Sequence, residues 1–452
     1  MGLLPHPSLR RASTPDRRRS IHARTERVAS LVPGTVLAFA DLHNHSHLSD
    51  GEGGAELAFD RMREAGLDVA ALTDHARVGR GLPGADPCDG EGHGCRGFRG
   101  LDEDAWQLVG RLADLANDDG AFVAMRGFEW TSPALGHVNV WDSTRWIDAL
   151  TTEAFSHHDW MSAWSLDRLQ EMPSACISNI RRAIQPSWVE RPSMHPFLEW
   201  LAAPAASDAR GGGDDGLASF NHPGRSGMRF DRFTPSAGAM RRMVALEIFN
   251  RDEDYLFEGT DQGEPSPLVE CLGAGWRVGL SGVTDEHGDV WGSQEHLGRT
   301  GLWIHDLTRA GVREALRARR FYATRVAGLR LDATANDVRM GGSLERSGER
   351  TRVRLEIDRG PDWWGKPLLV QALGPGMPMP TIQHEQPILV EEAGQRLTFE
   401  VPPVHGWMVL RITDPAFPAD PRAGPPWNGF GAAVAYTSPF FEAPENSGAS
   451  LS

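Results

Sequence analysis

Closely spaced histidines and acids stand out first in the sequence. The segment DLHNHSHLSDG at 41–51 contains His43 and His45 at alternate positions, and Asp50 follows five residues later. In an extended chain alternate side chains point to the same side, so both imidazoles can hold one metal ion. This segment therefore predicts metal-dependent chemistry.

Further motifs of the same kind follow along the chain. They add the candidate ligands His75, Glu129, His137, His222, Asp285 and His287. Each motif sits at the end of a predicted strand, and in a parallel α/β barrel the carboxyl ends of the strands converge on one face. The joint pattern predicts a polynuclear metal site.

Other histidines and the cysteines have simpler interpretations. A single histidine after a strand is more often an ordinary surface or core residue, and we interpret six in this way: His47, His157, His158, His195, His296 and His405. Cys88, His93 and Cys95 lie together in a glycine-rich stretch that could bind zinc or form a local disulfide, but an ordinary loop is favoured.

Alternating apolar runs and amphipathic stretches predict the elements that position these residues. Predicted strands are Val36–Leu42, Val69–Leu72, Phe122–Gly127, Val138–Trp141, Leu217–Phe220, Val244–Phe249 and Val278–Ser281. Predicted helices are Ala55–Ala65, Asp102–Asn117, His195–Leu201, Pro267–Leu272 and Gly311–Ala318. This order favours an α/β fold with a closed barrel of about seven units.

The same patterns predict the domain organisation. Residues 1–34 form a disordered basic tail, and residues 35–327 form the barrel with a partly helical insertion at 143–216. Strand-like alternation after residue 328 predicts a β-sandwich-like module at 328–445.

Composition excludes several classes of function. With 46 basic and 61 acidic residues the formal charge is −15, so nucleic acid is not expected except as a substrate. No apolar run approaches the roughly 20 residues that span a bilayer. There is also no apolar stretch of a secretory signal, so we expect a cytoplasmic protein without a membrane partner.

The motifs resemble those of the polymerase and histidinol phosphatase (PHP) superfamily of metal-dependent phosphoesterases. DLHNHSHLSDG at 41–51 and ALTDHA at 71–76 are the most specific, and GFEW at 127–130, NHPG at 221–224 and TDEHG at 284–288 agree in order. The resemblance implies a distorted seven-stranded (β/α)7 barrel with two or three divalent metals. The implied ligands are His43, His45, Glu129 and Asp285 for the first metal, Glu129, His137 and His222 for the second, and Asp50, His75 and His287 for the third.

These ligand types suit Zn, Mn or Fe, and a hydroxide between the first two metals would be the nucleophile. Glu129 and Asp285 are thus candidate catalytic residues. Asp41 and Asp74 are expected to fix imidazole tautomers, with Asp74 also a candidate for proton transfer. Arg225 is placed to bind a phosphate oxygen, and the equal alternative is an exposed arginine with a structural role.

Three functions remain open. The leading one is hydrolysis of a small phosphoester, such as a nucleotide-like or sugar phosphate. The alternative is hydrolysis of a carboxyl ester, carbamate or amide at the same site, because the barrel plus C-terminal module is similar to a PHP branch that includes carbaryl hydrolase. The third is a non-catalytic metal-binding module.

Overall fold

The structure of the chain is a computed structural model. It describes residues 31–76, 100–132, 134–149, 192–205, 211–225, 227–293, 298–360, 363–392 and 394–444. Several predictions therefore lie outside the described residues: the tail up to residue 30, the Cys88, His93 and Cys95 stretch, residues 150–191 of the predicted insertion, and His157, His158 and His296.

Strands outnumber helices among the described residues. The strands β1 to β21 are, in chain order, Val36–Asp41, Val69–Leu72, His75–Ala76, Val123–Ser132, Gly136–Trp141, Leu217–Phe220, Met243–Asn250, Glu253–Asp254, Gly279–Val283, Arg299–Ile304, Phe321–Thr324, Arg330–Ala335, Val338–Arg339, Ser343–Leu344, Thr351–Asp358, Lys366–Gly374, Thr381–Val390, Gln395–Val401, Trp407–Asp414, Ala432–Thr437 and Phe440–Glu442. The α-helices α1 to α5 are Ala55–Glu64, Glu103–Ala116, His195–Ala202, Pro267–Gly273 and Arg309–Ala318. Arg229–Phe233 form a left-handed turn.

One large sheet organises the fold. Its strand order is β17, β16, β19, β20, β11, β10, β1, β2, β4, β5, β6, β7 and β9. Strands β1, β2 and β4 are parallel, as are β6, β7 and β9, whereas β5 and β10 run antiparallel to both neighbours. A mixed α/β fold is thus confirmed.

The predicted closed barrel is not formed by strand ladders in the described part of the chain. Strand β9 reaches β10 through hydrogen bonds between Thr300 Oγ1 and the backbone of Gly282, at 2.9 and 3.1 Å. Beyond the strands, a single bridge joins Asn44 to Glu286. The segments that follow β1 and β9 are therefore adjacent, although no continuous ladder joins those two strands.

The helices cover the sheet as their apolar spacing predicts. In α1 the buried residues recur at steps of three and four, at Ala55, Ala58, Phe59 and Met62. Helix α2 begins after Asp102, whose side chain accepts a hydrogen bond of 2.9 Å from the backbone of Ala105. Among the described residues, no helix combines the length and apolarity needed to cross a bilayer.

The C-terminal strands, β12 to β21, are divided between two sheets. A four-stranded antiparallel sheet has the order β13, β12, β15 and β18, while β16, β17, β19 and β20 extend the large sheet through β11. Side chains from both sheets share one core, including Leu355, Phe399, Val370 and Leu410. The β-sandwich and the boundary at residue 328 remain predictions.

Candidate metal centre

All nine predicted ligands come together at one end of the large sheet. Four overlapping groups have ligand atoms within 4.8 Å of one another: His45, Asp50, His75 and His287; His43, His45 and Asp285; His43, Glu129 and His222; and His75, Glu129 and His137. Most ligands follow a strand that ends there. His137 instead lies near the start of β5, and it reaches the same end because β5 is antiparallel to β4 and β6.

In the group of His43, His45 and Asp285, three ligand atoms form a nearly equilateral triangle. His43 Nε2, His45 Nε2 and Asp285 Oδ1 are separated by 3.2 Å in each pairing. Ligands about 2.0 to 2.1 Å from one tetrahedral zinc are about 3.3 Å apart. Asp285 Oδ1 is buried and accepts no hydrogen bond. This triangle therefore fits one divalent ion.

Glu129 lies at the centre of the site. Its Oε1 is 3.1 Å from His43 Nε2 and 3.2 Å from both His137 Nδ1 and His222 Nε2. Its Oε2 lies 2.6 Å from His75 Nδ1, yet this buried oxygen accepts no properly oriented hydrogen bond. A carboxylate with imidazoles around both oxygens is suited to contact more than one metal.

The group that corresponds to the third implied metal includes one residue more than the resemblance implies. Asp50 Oδ2 is 3.3 Å from His75 Nε2, and Asp50 Oδ1 is 3.4 Å from His287 Nε2. His45 joins them, since its Nδ1 is 3.7 Å from Asp50 Oδ1 while its Nε2 faces Asp285. His45 therefore lies between two groups.

A tight turn brings Asp50 to this position. The backbone N–H groups of Ser49 and Gly51 both donate to the carbonyl of Ser46, at 3.1 and 2.9 Å. A Cβ atom on Gly51 would lie 2.8 Å from the backbone of Ser46, which is too close. Glycine after Asp50 in the DG pair is therefore required by the close approach of the backbone.

Charges in the metal-free site are strongly coupled. Burial opposes ionisation of Glu129, but His137, His43 and His75 outweigh it and hold its pKa well below the usual value. Burial likewise opposes ionisation of Asp285, whose pKa is held well below the usual value by neighbouring imidazoles, His43 first among them. Both carboxylates are therefore ionised and ready to bind cations.

The imidazoles divide into two kinds. Burial lowers the pKa of His45 to about 3 and the pKa of His137 to about 4. Burial also opposes protonation of His75, yet Asp50 and Glu129 raise the pKa of that imidazole to about 10. Without metal, His75 thus carries a proton that compensates the neighbouring carboxylates.

Glu247 was not predicted from the sequence, although it belongs to the site. Its Oε1 lies 2.7 Å from His43 Nδ1, and its Oε2 accepts a hydrogen bond of 2.7 Å from the backbone N–H of His222. The side chain is fully buried on β7. It holds His43 so that Nε2 faces the other candidate ligands. The only signal in the sequence is one acid within the apolar run MVALEIF at 243–249.

Asp41 and Asp74 bind loops rather than imidazoles. The carboxylate of Asp74 accepts hydrogen bonds of 2.8 Å from Ser46 N and Oγ, and of 2.7 Å from Ser49 Oγ. Asp41 accepts hydrogen bonds from the backbone and hydroxyl of Thr284. Burial raises the pKa of both carboxyl groups. The expected role in tautomer selection therefore belongs to Glu247, and proton transfer by Asp74 remains a prediction.

Arg225 lies at the edge of the site. Its Nη1 donates to Asp285 Oδ2 at 3.0 Å and its Nη2 donates to Glu253 Oε2 at 3.2 Å. The side chain is 44% exposed. Because Nη1 uses Oδ2 of Asp285, Oδ1 stays available to the triangle of ligand atoms.

Two candidate ligands have unusual backbone conformations. His222 and Asp285 have φ angles of 25° and 50°. Such values cost energy in residues other than glycine and concentrate at functional sites. His47, in contrast, accepts a hydrogen bond of 3.1 Å from the N–H of Ala55 through Nδ1, which agrees with its structural interpretation.

No family model matches the chain, and no curated protein matches it. Three solved structures show similarity at 14% identity. One is a two-domain protein from Bacteroides vulgatus that contains a predicted PHP-like metal-dependent phosphoesterase, with a TM-score of 0.38 and coverage of 90% of this chain and 96% of that chain. Another, from Bifidobacterium adolescentis, is described as a metal-dependent phosphoesterase. Its TM-score is 0.27, and the match covers 56% of this chain and 88% of that chain. An amidohydrolase from Chromobacterium violaceum, with bound sulfate and no metal, has a TM-score of 0.27 and coverage of 55% and 87%.

At these TM-scores the similarity says nothing about substrate, which depends on the side chains of the site. None of the three is named as a carbaryl hydrolase, so that branch stays a prediction. The chain is similar to two structures described as metal-dependent phosphoesterases, and one of them is described as PHP-like, the superfamily that the motifs of this chain resemble.

Proposed function

We propose that this protein is a metal-dependent hydrolase that cleaves phosphoesters of small molecules. The observation that carries this proposal is the position of Glu129 among the imidazoles of adjoining ligand groups. A carboxylate shared in this way supports ions that lie close enough to act on one substrate.

The chain's own residues fit divalent cations. Two buried carboxylate oxygens, Glu129 Oε2 and Asp285 Oδ1, lack hydrogen bonds while imidazole nitrogens surround them. Two or three ions of Zn, Mn or Fe held there would neutralise substrate charge and lower the pKa of an attacking water. His43, in turn, is kept in place by Glu247 during turnover.

Charge favours an anionic substrate when three ions are bound. The ligands Asp50, Glu129 and Asp285 and the buried Glu247 carry four negative charges, so three divalent cations leave a net charge of about +2. This is less positive than the three ligand carboxylates alone would leave. With Glu247 counted, two divalent cations leave no net charge, so three ions are needed for a net positive centre that attracts phosphate.

Arg225 is proposed to bind the substrate phosphate. Protein carboxylates use one N–H of Nη1 and one of Nη2, and a guanidinium has five N–H donors. The partly exposed side chain lies next to the candidate ligand Asp285, so a phosphate held by the ions would be within its reach.

One observation favours the alternative, hydrolysis of a neutral carboxyl ester, carbamate or amide. Glu253 is half exposed beside Arg225 and offsets its positive charge. With two ions bound, the centre would have no net positive charge, which suits a neutral substrate. The number of bound ions and the pairing of Arg225 thus separate the two functions.

The deciding experiment compares substrate classes on the same preparation. The purified protein, reconstituted with Mn or Zn, is assayed with aryl phosphomonoesters, aryl phosphodiesters, aryl acetates and aryl carbamates. We expect the highest kcat/KM for a phosphoester and loss of that activity in Glu129→Gln. His405→Gln, which changes a histidine that is 74% exposed, is the matched control and should act like the wild type.

A higher kcat/KM for a neutral ester or carbamate than for every phosphoester would replace the proposal with the alternative. Absence of turnover on all substrates, with the metals bound, would support the non-catalytic module instead. Equal activity of Glu129→Gln and the wild type would show that the central carboxylate has another role.

A further inference from the structure

A short segment, Arg251–Glu258, lies between the candidate metal centre and the C-terminal strands. It begins where β7 turns back into β8, and its strand residues pair as Asn250 with Glu253 and Phe249 with Asp254. It continues through the 3-10 helix Tyr255–Phe257. We call this segment the bridging segment.

One side of the bridging segment contacts the site. Arg251 donates to the carbonyls of Thr284 and Asp285 at 2.9 and 2.6 Å. Glu253 accepts from Arg225 at 3.2 Å and also from the hydroxyl of Tyr255. The segment therefore contacts both the backbone of a candidate ligand and the arginine proposed to bind phosphate.

The backbone next to Arg225 also touches this segment. Gly224 has a φ of 124°, and a Cβ atom there would lie 2.0 Å from Cγ of Glu258. Only glycine permits that approach. The backbone next to Arg225 thus packs directly against the side chain of Glu258 in the bridging segment.

The opposite side is held by the C-terminal strands. The hydroxyl of Tyr436 on β20 donates to Asp254 Oδ2 at 2.9 Å and accepts from Arg411 Nε at 3.1 Å. Arg422 donates to the carbonyl of Asp254 at 3.0 Å and to the carboxylate of Glu258. Tyr436, Asp254 and Arg411 are at most 1% exposed.

Buried hydrogen bonds of this kind restrict position as well as add stability. Since successive residues of a strand face opposite sides, fixing Asp254 on one side fixes Glu253 on the other. Glu253 in turn holds Arg225. A chain of contacts thus runs from Tyr436 to the edge of the metal centre.

We propose that Tyr436 is a positioning residue through which the C-terminal strands set Arg225 for phosphate binding. This inference rests on the proposed function, because it assigns Arg225 to an anionic substrate. It gives the C-terminal strands a role in substrate affinity, in addition to their role in packing.

The test measures binding of inorganic phosphate to the Mn-loaded full-length protein by calorimetry. Loss of the hydroxyl in Tyr436→Phe should weaken phosphate binding about three- to tenfold, with unchanged metal content. Tyr322→Phe is the matched control, because Tyr322 lies on β11 beside β20 and its buried hydroxyl donates to the carbonyl of Leu329, outside the bridging segment. We expect wild-type phosphate affinity in that variant.

A double-mutant cycle separates positioning from general destabilisation. If Tyr436 acts through Arg225, Tyr436→Phe should add nothing in an Arg225→Gln background. An unchanged affinity in Tyr436→Phe, or an equal loss in both backgrounds, would overturn the inference. Should Tyr436→Phe not fold, Arg422→Gln removes the other contact of the segment and must weaken phosphate binding in its place.

A failure of the proposed phosphoesterase function can be distinguished from a failure of the positioning role of Tyr436. A wild-type protein that binds no phosphate contradicts the phosphoesterase proposal, and hydrogen exchange then decides the inference. Faster backbone exchange in residues 251–258 and 221–225 of Tyr436→Phe, without a general increase, would support positioning. Unchanged exchange there would overturn it.

Discussion

The imidazole of His43 and the carboxylate of Glu247 are hydrogen-bonded at 2.7 Å, and both side chains are inaccessible to solvent. The bond uses Nδ1 of the ring, which directs Nε2 toward Asp285 and His45. The second carboxylate oxygen of Glu247 holds the backbone of His222. One buried acid thus orients two candidate ligands.

Replacing Glu247 with Gln should weaken metal binding about 10- to 100-fold. The amide offers one oxygen where two acceptors are needed, so either the His43 ring or the His222 N–H loses its partner. Competition titration with a chromogenic chelator measures the affinity. His405→Gln should bind metal as the wild type does, and equal affinity in Glu247→Gln would show that the bond does not orient the ring.

Glu129→Gln should reduce the metal content more than any other single ligand change. We expect two to three ions per chain in the wild type and at most one in the variant, because the lost charge serves adjoining groups. Elemental analysis after reconstitution and desalting gives the ratio. A wild-type ratio below one, or equal ratios in both proteins, would contradict the ligand assignment.

Metal binding should release protons and tighten as pH rises. In the metal-free site Asp50 and Glu129 raise the pKa of His75 to about 10 against the effect of burial, so this imidazole is protonated at neutral pH. A ligand must be neutral to bind metal, and its proton has to leave. Calorimetry in buffers of different ionisation enthalpy counts the protons. A metal affinity that does not change between pH 6 and pH 8 would contradict the predicted release of protons.

Truncation after residue 327 should give an insoluble chain. The cut removes β20, which pairs with β11, and also Ser438, whose hydroxyl accepts a hydrogen bond of 3.3 Å from Leu280 on β9. An exposed strand edge and apolar surface promote aggregation. A chain ending at Ala443, which keeps all described strands, is the control. A soluble, metal-binding truncated chain would show that the C-terminal strands are dispensable.

The candidate ligands could be predicted because each lies in a short motif, and most of these motifs follow a strand, although Glu129 lies within β4 and His137 near the start of β5. Glu247 could not, since it lies within a buried strand and its partner His43 is 204 positions away. Strand β10 was also missed: Arg299 and Gly301 interrupt its apolar pattern. At Gly301 a Cβ atom would lie 2.2 Å from the ring of Tyr322, so the glycine reflects close packing rather than a turn.

The direction and pairing of some strands could not be predicted from the sequence either. The strand containing His137 has the apolar pattern of a parallel strand, but its short connection to β4 makes it antiparallel, as a hairpin must be. The pairing of β20 with β11 joins residues more than one hundred positions apart, and no local pattern predicts such a contact.

Four residues each belong to two ligand groups: His43, His45, His75 and Glu129. An ion entering one group would order side chains that the next group also uses, so successive binding events should be thermodynamically linked. Cation repulsion opposes this linkage, and shared carboxylate charge reduces the repulsion. When linkage prevails, a limited supply of metal yields a mixture of empty and fully loaded molecules, and activity follows metal concentration as a steep threshold.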